Sequence, residues 1–166
     1  MIFVKCPSFK FLIFNGRSTP QALINIVGME NAKQELRFRT RKWVKPEDLN
    51  PNNSLFGGRL LQWIDEEAVI YAIIQLENKH VVTKLISEIN FISSPKQGDI
   101  IELGIVAVNF GRTSLTLRCE VRNKITREPI LKIDKLVFVN VDEYGKPTPH
   151  GKTAITFSKD RLKPLD

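Results

Sequence analysis

Three adjacent carboxylates, Asp65, Glu66 and Glu67, stand within the longest apolar segment of the chain. If that segment is helical, neighbouring side chains point about 100° apart, so the three cannot act as one cluster. Glu66 shares a narrow polar arc with Arg59 and Gln62 and reads as part of a solvated face. Glu67 falls between Leu60 and Ile74 and reads as a paired group at an interface. Asp65 lies beside Leu61, Ala68 and Ala72, at the edge of the apolar arc. A carboxylate there must be paired, hydrated in a pocket, or functional, which makes Asp65 the leading candidate for chemistry.

A second constellation precedes it. Asn50-Pro51-Asn52-Asn53-Ser54-Leu55-Phe56-Gly57-Gly58 is a polar loop that ends in a glycine pair where the helical pattern begins. The first N–H groups of a helix have no intrahelical acceptor, and the helix dipole adds partial positive charge there. Gly57 and Gly58 therefore supply the parts of an oxyanion hole. Gly58 and Asp65 share a helix face two turns apart, roughly 10 Å along the axis. One chain cannot bring both to one small reacting group. A two-fold dimer can, with Asp65 of one copy facing the glycine turn of the other. A third candidate is the turn Gly111-Arg112-Thr113-Ser114, whose guanidinium, hydroxyls and backbone donors suit a phosphate or a polar carrier arm. His80 and His150 sit in no recognisable triad, and there is no P-loop, GxGxxG or HExxH.

These residues need elements to position them. Leu36–Val44 alternates apolar and basic residues, as a half-exposed strand does. Lys45–Ser54, rich in Pro, Asn and Asp, reads as a loop. Leu55 to about Leu76 is the one strong helix, apolar nearly all round and therefore expected to be buried. Four strands follow: Val81–Ser93, Ile100–Val108, Thr113–Asn123 and Ile130–Val141. They are separated by turns at Lys96–Asp99, Asn109–Arg112 and Arg127–Pro129. In the third, Leu115, Leu117, Cys119 and Val121 face one way. The economical way to bury such a helix is to wrap the sheet around it, an α+β hotdog fold. Its open edge predicts a dimer.

Composition bounds the rest. The chain has 166 residues, 42% hydrophobic and 26% charged, enough for one domain. No apolar run reaches the roughly 20 residues that span a bilayer. Cys6 and Cys119 form no CxxC and no His/Cys cluster, so neither a disulfide framework nor a metal site is expected. Such cysteine usage suits a reduced cytoplasm. The net charge is +7, but residues 1–42 hold eight basic and two acidic groups, which leaves the body nearly neutral. That imbalance confines any nucleic-acid reading to the N-terminal end, where its test is salt-dependent binding lost on deleting residues 1–42. Residues 1–28 read as an extension, flexible or upstream of a natural start at Met29. Residues 29–150 read as the single domain, and 151–166 as a tail.

Together these residues resemble the hotdog-fold acyl-CoA thioesterases, in particular the acyl-CoA hydrolases of bacteria and mammalian cytosol. The resemblance runs from about Arg37 to about Pro149. Its core is Asp48-Leu49-Asn50 through Phe56-Gly57-Gly58 and on to Ile64-Asp65-Glu66, supported by Val81-Val82-Thr83, Gly98-Asp99, Gly111–Ser114 and Val141-Asp142. One departure is Asn53, where many members have glycine. Asparagine tolerates the left-handed backbone better than most residues.

The resemblance implies thioester hydrolysis. Asn50 and Asp65 form the catalytic pair from opposite subunits, with Asp65 as general base or, as the alternative, nucleophile. Gly58, with Gly57, holds the oxyanion. Arg112, Thr113, Ser114 and Thr83 lie near coenzyme A, and the acyl chain runs along Phe56, Leu61 and Trp63. No cofactor or metal is implied, coenzyme A being part of the substrate. The implied assembly is a homodimer, often a trimer of dimers. Two other classes remain open on the same fold: a non-catalytic acyl-CoA sensor, which needs no carboxylate in the thioester pocket, and a dehydratase, which normally needs a histidine that this helix lacks.

Overall fold

The computed structural model describes residues 36–155. The expected extension 1–28, the start at Met29 and the tail beyond residue 155 lie outside them. The described residues fall within one compact unit that begins at Glu35. The elements are β1 (Phe38–Trp43), α1 (Gly57–Leu76), β2 (Val81–Ile86), β3 (Asn90–Phe91), β4 (Ile100–Phe110), β5 (Ser114–Asn123) and β6 (Pro129–Asn140). A 3-10 turn at Pro46–Asp48 precedes the helix. All strand pairs are antiparallel, in the order β1-β4-β5-β6-β2, with β3 also on β6.

The order of elements matches the expected hotdog arrangement. The Val81–Ser93 stretch differs from expectation in being two strands. β2 and β3 follow one another along the same edge of β6. Between them the Ser87 N–H still donates to the Lys135 carbonyl (2.9 Å), but the Lys135 N–H donates to the Ser87 hydroxyl (3.3 Å). A serine side chain has taken a rung of the ladder from the backbone. The turn at Lys96–Asp99 forms as read. Gly98 has φ +87°, which a side chain would strain, and the Asp99 carboxylate accepts the Lys96 N–H at 2.7 Å.

The core lies between α1 and the inner face of the sheet. Leu115, Leu117, Cys119 and Val121 of β5 are all buried, as their alternation requires. They meet Leu60, Trp63, Ile64, Ala68, Ala72 and Leu76 of the helix. Full burial of each large side chain is worth about 1.5–3 kcal/mol. The expectation that α1 is buried nearly all round needs correction. Ile70 and Ile74 remain 49% and 41% exposed, because one curved sheet covers only one face of a helix. Edge strand β2 leaves Val82 and Leu85 exposed as well.

One charged group is fully buried. Glu102 of β4 is 1% exposed and carries ion pairs with Arg122 (2.6 Å), Arg127 (2.7 Å) and Lys124 (3.1 Å). Burial alone raises its pKa, but the hydrogen bonds and charges of Lys124 and Arg122 outweigh that and hold the carboxyl below its ordinary value. A lowered pKa in the folded state stabilises the fold above the ordinary carboxylate range and loses that stabilisation as pH falls through the native pKa. We therefore expect Glu102→Gln to be less stable than wild type at pH 7. The gap should narrow as the pH drops below about 4.5, which urea titrations at several pH values will show. A gap that is constant with pH refutes the ion-pair account.

Candidate active site

The loop before α1 is held by two acids or amides that bond its backbone. Asn50 accepts the N–H groups of Asn52 (2.9 Å) and Ser54 (3.3 Å) on its side-chain oxygen, and its amide nitrogen donates to the Ser54 hydroxyl at 3.1 Å. Its backbone N–H donates to the Ser54 carbonyl at 2.8 Å, and its own carbonyl accepts Asn53 N–H at 3.0 Å. The loop closes through Asn53 at φ +53°, a left-handed position that asparagine tolerates better than most side chains. Asp48, buried, accepts the Lys45 N–H (3.0 Å) and pairs with Arg59 (3.1 Å), while its carbonyl accepts the Phe56 N–H at 2.8 Å. Asp48 and Arg59 were not among the site residues expected from sequence. The available signal was that the first turn of α1 contains no acid, so a carboxylate complementing its dipole had to come from the preceding loop.

Gly57 and Gly58 open the helix, and Phe56 at its N-cap supplies no side-chain hydrogen bond. Their N–H groups have no intrahelical acceptor. Neither glycine has a positive φ, and a side chain at either would crowd a neighbouring aromatic ring. A Cβ on Gly58 would lie 2.7 Å from the Phe56 ring, and one on Gly57 would lie 3.2 Å from the Phe91 ring. A cleft of about 410 Å³ adjoins this turn, bounded by Asp48, Phe56, Gly58, Arg59 and Gln62.

Asp65 is half-buried on the same helix and accepts a hydrogen bond from the Thr83 hydroxyl of β2 at 2.9 Å. Thr83, expected near coenzyme A, thus touches the carboxylate. The other two acids behave as their helical positions suggest. Glu66 ends an exposed ladder in which Arg59 donates to Gln62 (3.0 Å) and Gln62 donates to Glu66 (2.9 Å). Glu67 is paired within its own chain, accepting from Thr40 (2.7 Å) and facing Lys42 (3.5 Å) on β1.

The Gly111–Ser114 turn lies at the far end of the molecule from the glycine pair. Thr113 accepts the Asn140 N–H at 2.8 Å, and Asn140 accepts from Asn78, just past the end of α1. A helix of 20 residues is about 30 Å long, so one chain does not join Arg112 to its own Gly58. Arg112 is exposed. His150 braces this turn, with its ring 3.2 Å from the Ser114 carbonyl and its N–H donating to Arg112 at 3.3 Å. His80 is exposed beside Asn78 and meets no nucleophile among the described residues. Burial pushes the Cys119 thiol up to about 12, so it is an inert core side chain. Of the expected acyl-chain residues, Trp63 is in the core, Leu61 packs on it and Phe56 is 56% exposed at the cleft. The three do not share one surface of the chain. Among the described residues no group of three or more His, Cys, Asp or Glu is placed to hold a metal, and no helix is long and apolar enough to cross a membrane.

Comparison with known proteins agrees with this architecture. Residues 52–130 match the profile of the thioesterase superfamily. An uncharacterized acyl-CoA thioester hydrolase of Buchnera aphidicola is 30% identical over 138 residues, spanning 80% of this chain and 98% of its own. A hexameric thioesterase from Yersinia pestis superposes with a TM-score of 0.62 at 27% identity, over 69% of this chain and 93% of that one. An acyl-CoA hydrolase from Staphylococcus aureus, solved with butyryl coenzyme A, coenzyme A and coenzyme A disulfide, gives 0.59 at 29% identity, over 66% and 68%. The S. aureus enzyme has also been solved with an asparagine, an aspartate and a threonine each replaced by alanine. Its asparagine and aspartate are separated by the same interval as Asn50 and Asp65, and its threonine is one position nearer the aspartate than Thr83 is to Asp65. With its antiparallel sheet around one long helix and these relatives, the chain belongs to the acyl-CoA thioester hydrolase family of the thioesterase superfamily, on the hotdog fold.

Proposed function

We propose that this chain hydrolyses acyl-CoA to a carboxylic acid and coenzyme A at a site shared by two copies. The observation that carries the reading is Asp65, half-buried, oriented by the neutral hydroxyl of Thr83, on the helix whose first turn presents the N–H groups of Gly57 and Gly58. A second copy against β2 covers Val82 and Leu85 together with Ile70 and Ile74 of α1, and satisfies the open edge of the sheet. Register divides the labour. Thr83 pairs with Phe138, and Phe138 with Leu115, so Thr83 and the Gly111–Ser114 turn lie in one region, two strand spacings or about 10 Å apart. One copy therefore supplies Asp65, Thr83 and Arg112. The other supplies Asn50, Gly57 and Gly58.

In this site the Thr83 hydroxyl holds one Asp65 oxygen and leaves the other to take a proton from water. The water oxygen attacks the thioester carbonyl carbon. The carbonyl oxygen becomes an oxyanion held by the Gly58 N–H, with Gly57, at the positive end of the helix dipole. Asn50 contributes as a donor. Its side-chain oxygen is already taken by two loop N–H groups, which leaves one N–H of its amide for the substrate. The intermediate collapses with cleavage of the C–S bond, and the leaving thiolate takes the proton that Asp65 holds, which restores the carboxylate. Arg112, with Thr113 and Ser114, meets the coenzyme A phosphates. The acyl chain starts beside Phe56 at the cleft. The assembly that closes these dimers is a trimer of dimers, which makes six copies, the number in the hexameric Yersinia relative.

Asp65→Asn should lower kcat at least about 100-fold while coenzyme A binding, followed by calorimetry, survives. A near-normal rate removes Asp65 from the mechanism. Binding across a chain-length panel with no thiol release by wild type moves the protein to the sensor class. Mixing inactive Asp65→Asn with inactive Asn50→Ala should restore activity in the mixed dimers. Absence of recovery after proven subunit exchange places the site within one chain. Arg112→Ala should raise KM for acyl-CoA far more than for a short thioester without the nucleotide, and equal effects refute phosphate contact.

A further inference from the structure

Away from Asp65 and the glycine turn, four cationic side chains converge on the buried carboxylate of Glu102. Arg122 Nε donates to Oε1 at 2.7 Å and Arg127 Nη1 to the same oxygen at 2.7 Å. Lys124 Nζ lies 3.1 Å and Arg41 Nε 4.0 Å from Oε2. One carboxylate neutralises one of them and leaves three surplus positive charges within a Debye length of each other, where salt screens little. Among the described residues, neighbouring acids do not restore the balance. Glu120 of the same strand faces Lys132 at 4.0 Å, and Glu128 is exposed, tied to the turn by its backbone.

The cluster is held rather than loose. The Arg122 guanidinium stacks on the Phe38 ring at 3.6 Å. Asn123 accepts the N–H groups of Ile125 (2.8 Å) and Thr126 (3.1 Å), which fixes the turn carrying Lys124 and Arg127. Arg127 itself sits at φ +66°, a left-handed position that costs a non-glycine residue backbone energy. Arg41 and Arg127 are more than half exposed, so donors not used on Glu102 face water. Planar guanidinium forks with free donors match phosphate oxygens in geometry and charge. Trp43, 63% exposed, pairs with Ile100, whose carbonyl accepts the Lys124 N–H at 2.7 Å, so an aromatic ring borders the cluster.

We propose that Arg41, Lys124 and Arg127, organised by Glu102 and Arg122, form a binding site for a phosphate-bearing dianion, separate from the Arg112 turn. The test uses the full-length protein at constant ionic strength, titrated with pyrophosphate and with adenosine 3′,5′-bisphosphate. Calorimetry and Trp43 fluorescence read the binding. Saturable binding is expected, weakened at least about 10-fold in Lys124→Gln/Arg127→Gln and retained in Arg112→Ala. Arg41→Gln, which removes the most distant of the four cations, gives a weakened site without disturbing the short contacts to Glu102, should the double variant fold poorly. In the Arg112→Ala background, tighter binding of the bisphosphate than of pyrophosphate identifies a nucleotide ligand, and equal binding identifies phosphate alone. Absence of saturable binding to either probe overturns the proposal. So does binding unchanged in the folded Lys124 and Arg127 variants, or binding abolished by Arg112→Ala.

Discussion

The structure depends on one contact: the apolar stripe of α1 against the inner face of the sheet. Leu60, Ile64, Ala68 and Ala72 recur at helical spacing and are all buried. Burying that stripe removes the freedom of the helix to roll. Every other side chain on α1 is then aimed by default. Asp65 and Glu67 are two residues apart, about 200° around the helix, so they emerge on opposite flanks. The sheet ends in β2 on one side and β1 on the other. Asp65 reaches Thr83 of β2, and Glu67 reaches Lys42 and Thr40 of β1.

That difference in partner separates two chemically identical types of group. Glu67 has a cation nearby and serves as a clamp between helix and sheet. Asp65 has a neutral hydroxyl, which orients a carboxylate without occupying it as a salt bridge does. A general base must keep an oxygen available for a proton, and a neutral donor on the other oxygen permits that. The glycine turn follows a parallel logic. Phe56 and Phe91 lie so close over Gly58 and Gly57 that a side chain there would have to displace their rings. The first-turn N–H groups are thereby kept beside two aromatic rings, as the proposed oxyanion site requires.

Much of this was legible in order along the chain. The alternation of Leu115, Leu117, Cys119 and Val121 identified β5 and its inner face, because a strand has a period of two. The polar arc of Arg59, Gln62 and Glu66 identified the exposed side of α1, and the three do form a ladder there. The resemblance marked Asn53 as a departure at a position many members fill with glycine, and Asn53 has φ +53°. Other features were not legible. The break between β2 and β3 depends on whether Ser87 bonds across to Lys135, a partner distant in sequence. The exposed Ile70 and Ile74 depend on how far one sheet can curve. Asp48 and Arg59 meet across the loop only after Phe56 bonds back to Asp48.

By itself the sequence determined the order of the longer elements, the inner face of β5, the polar arc of α1, and Asp65 as the acid without an obvious solvent role. Periodicity carries that information because local geometry fixes where each side chain points. Only the tertiary structure decided the partners: Thr83 for Asp65, Lys42 for Glu67, and four cations for Glu102. Such pairings join residues up to dozens of positions apart, and no local pattern encodes which strand lies beside which. They follow from the strand order, which the chain settles only when the apolar faces of α1 and the sheet are buried together.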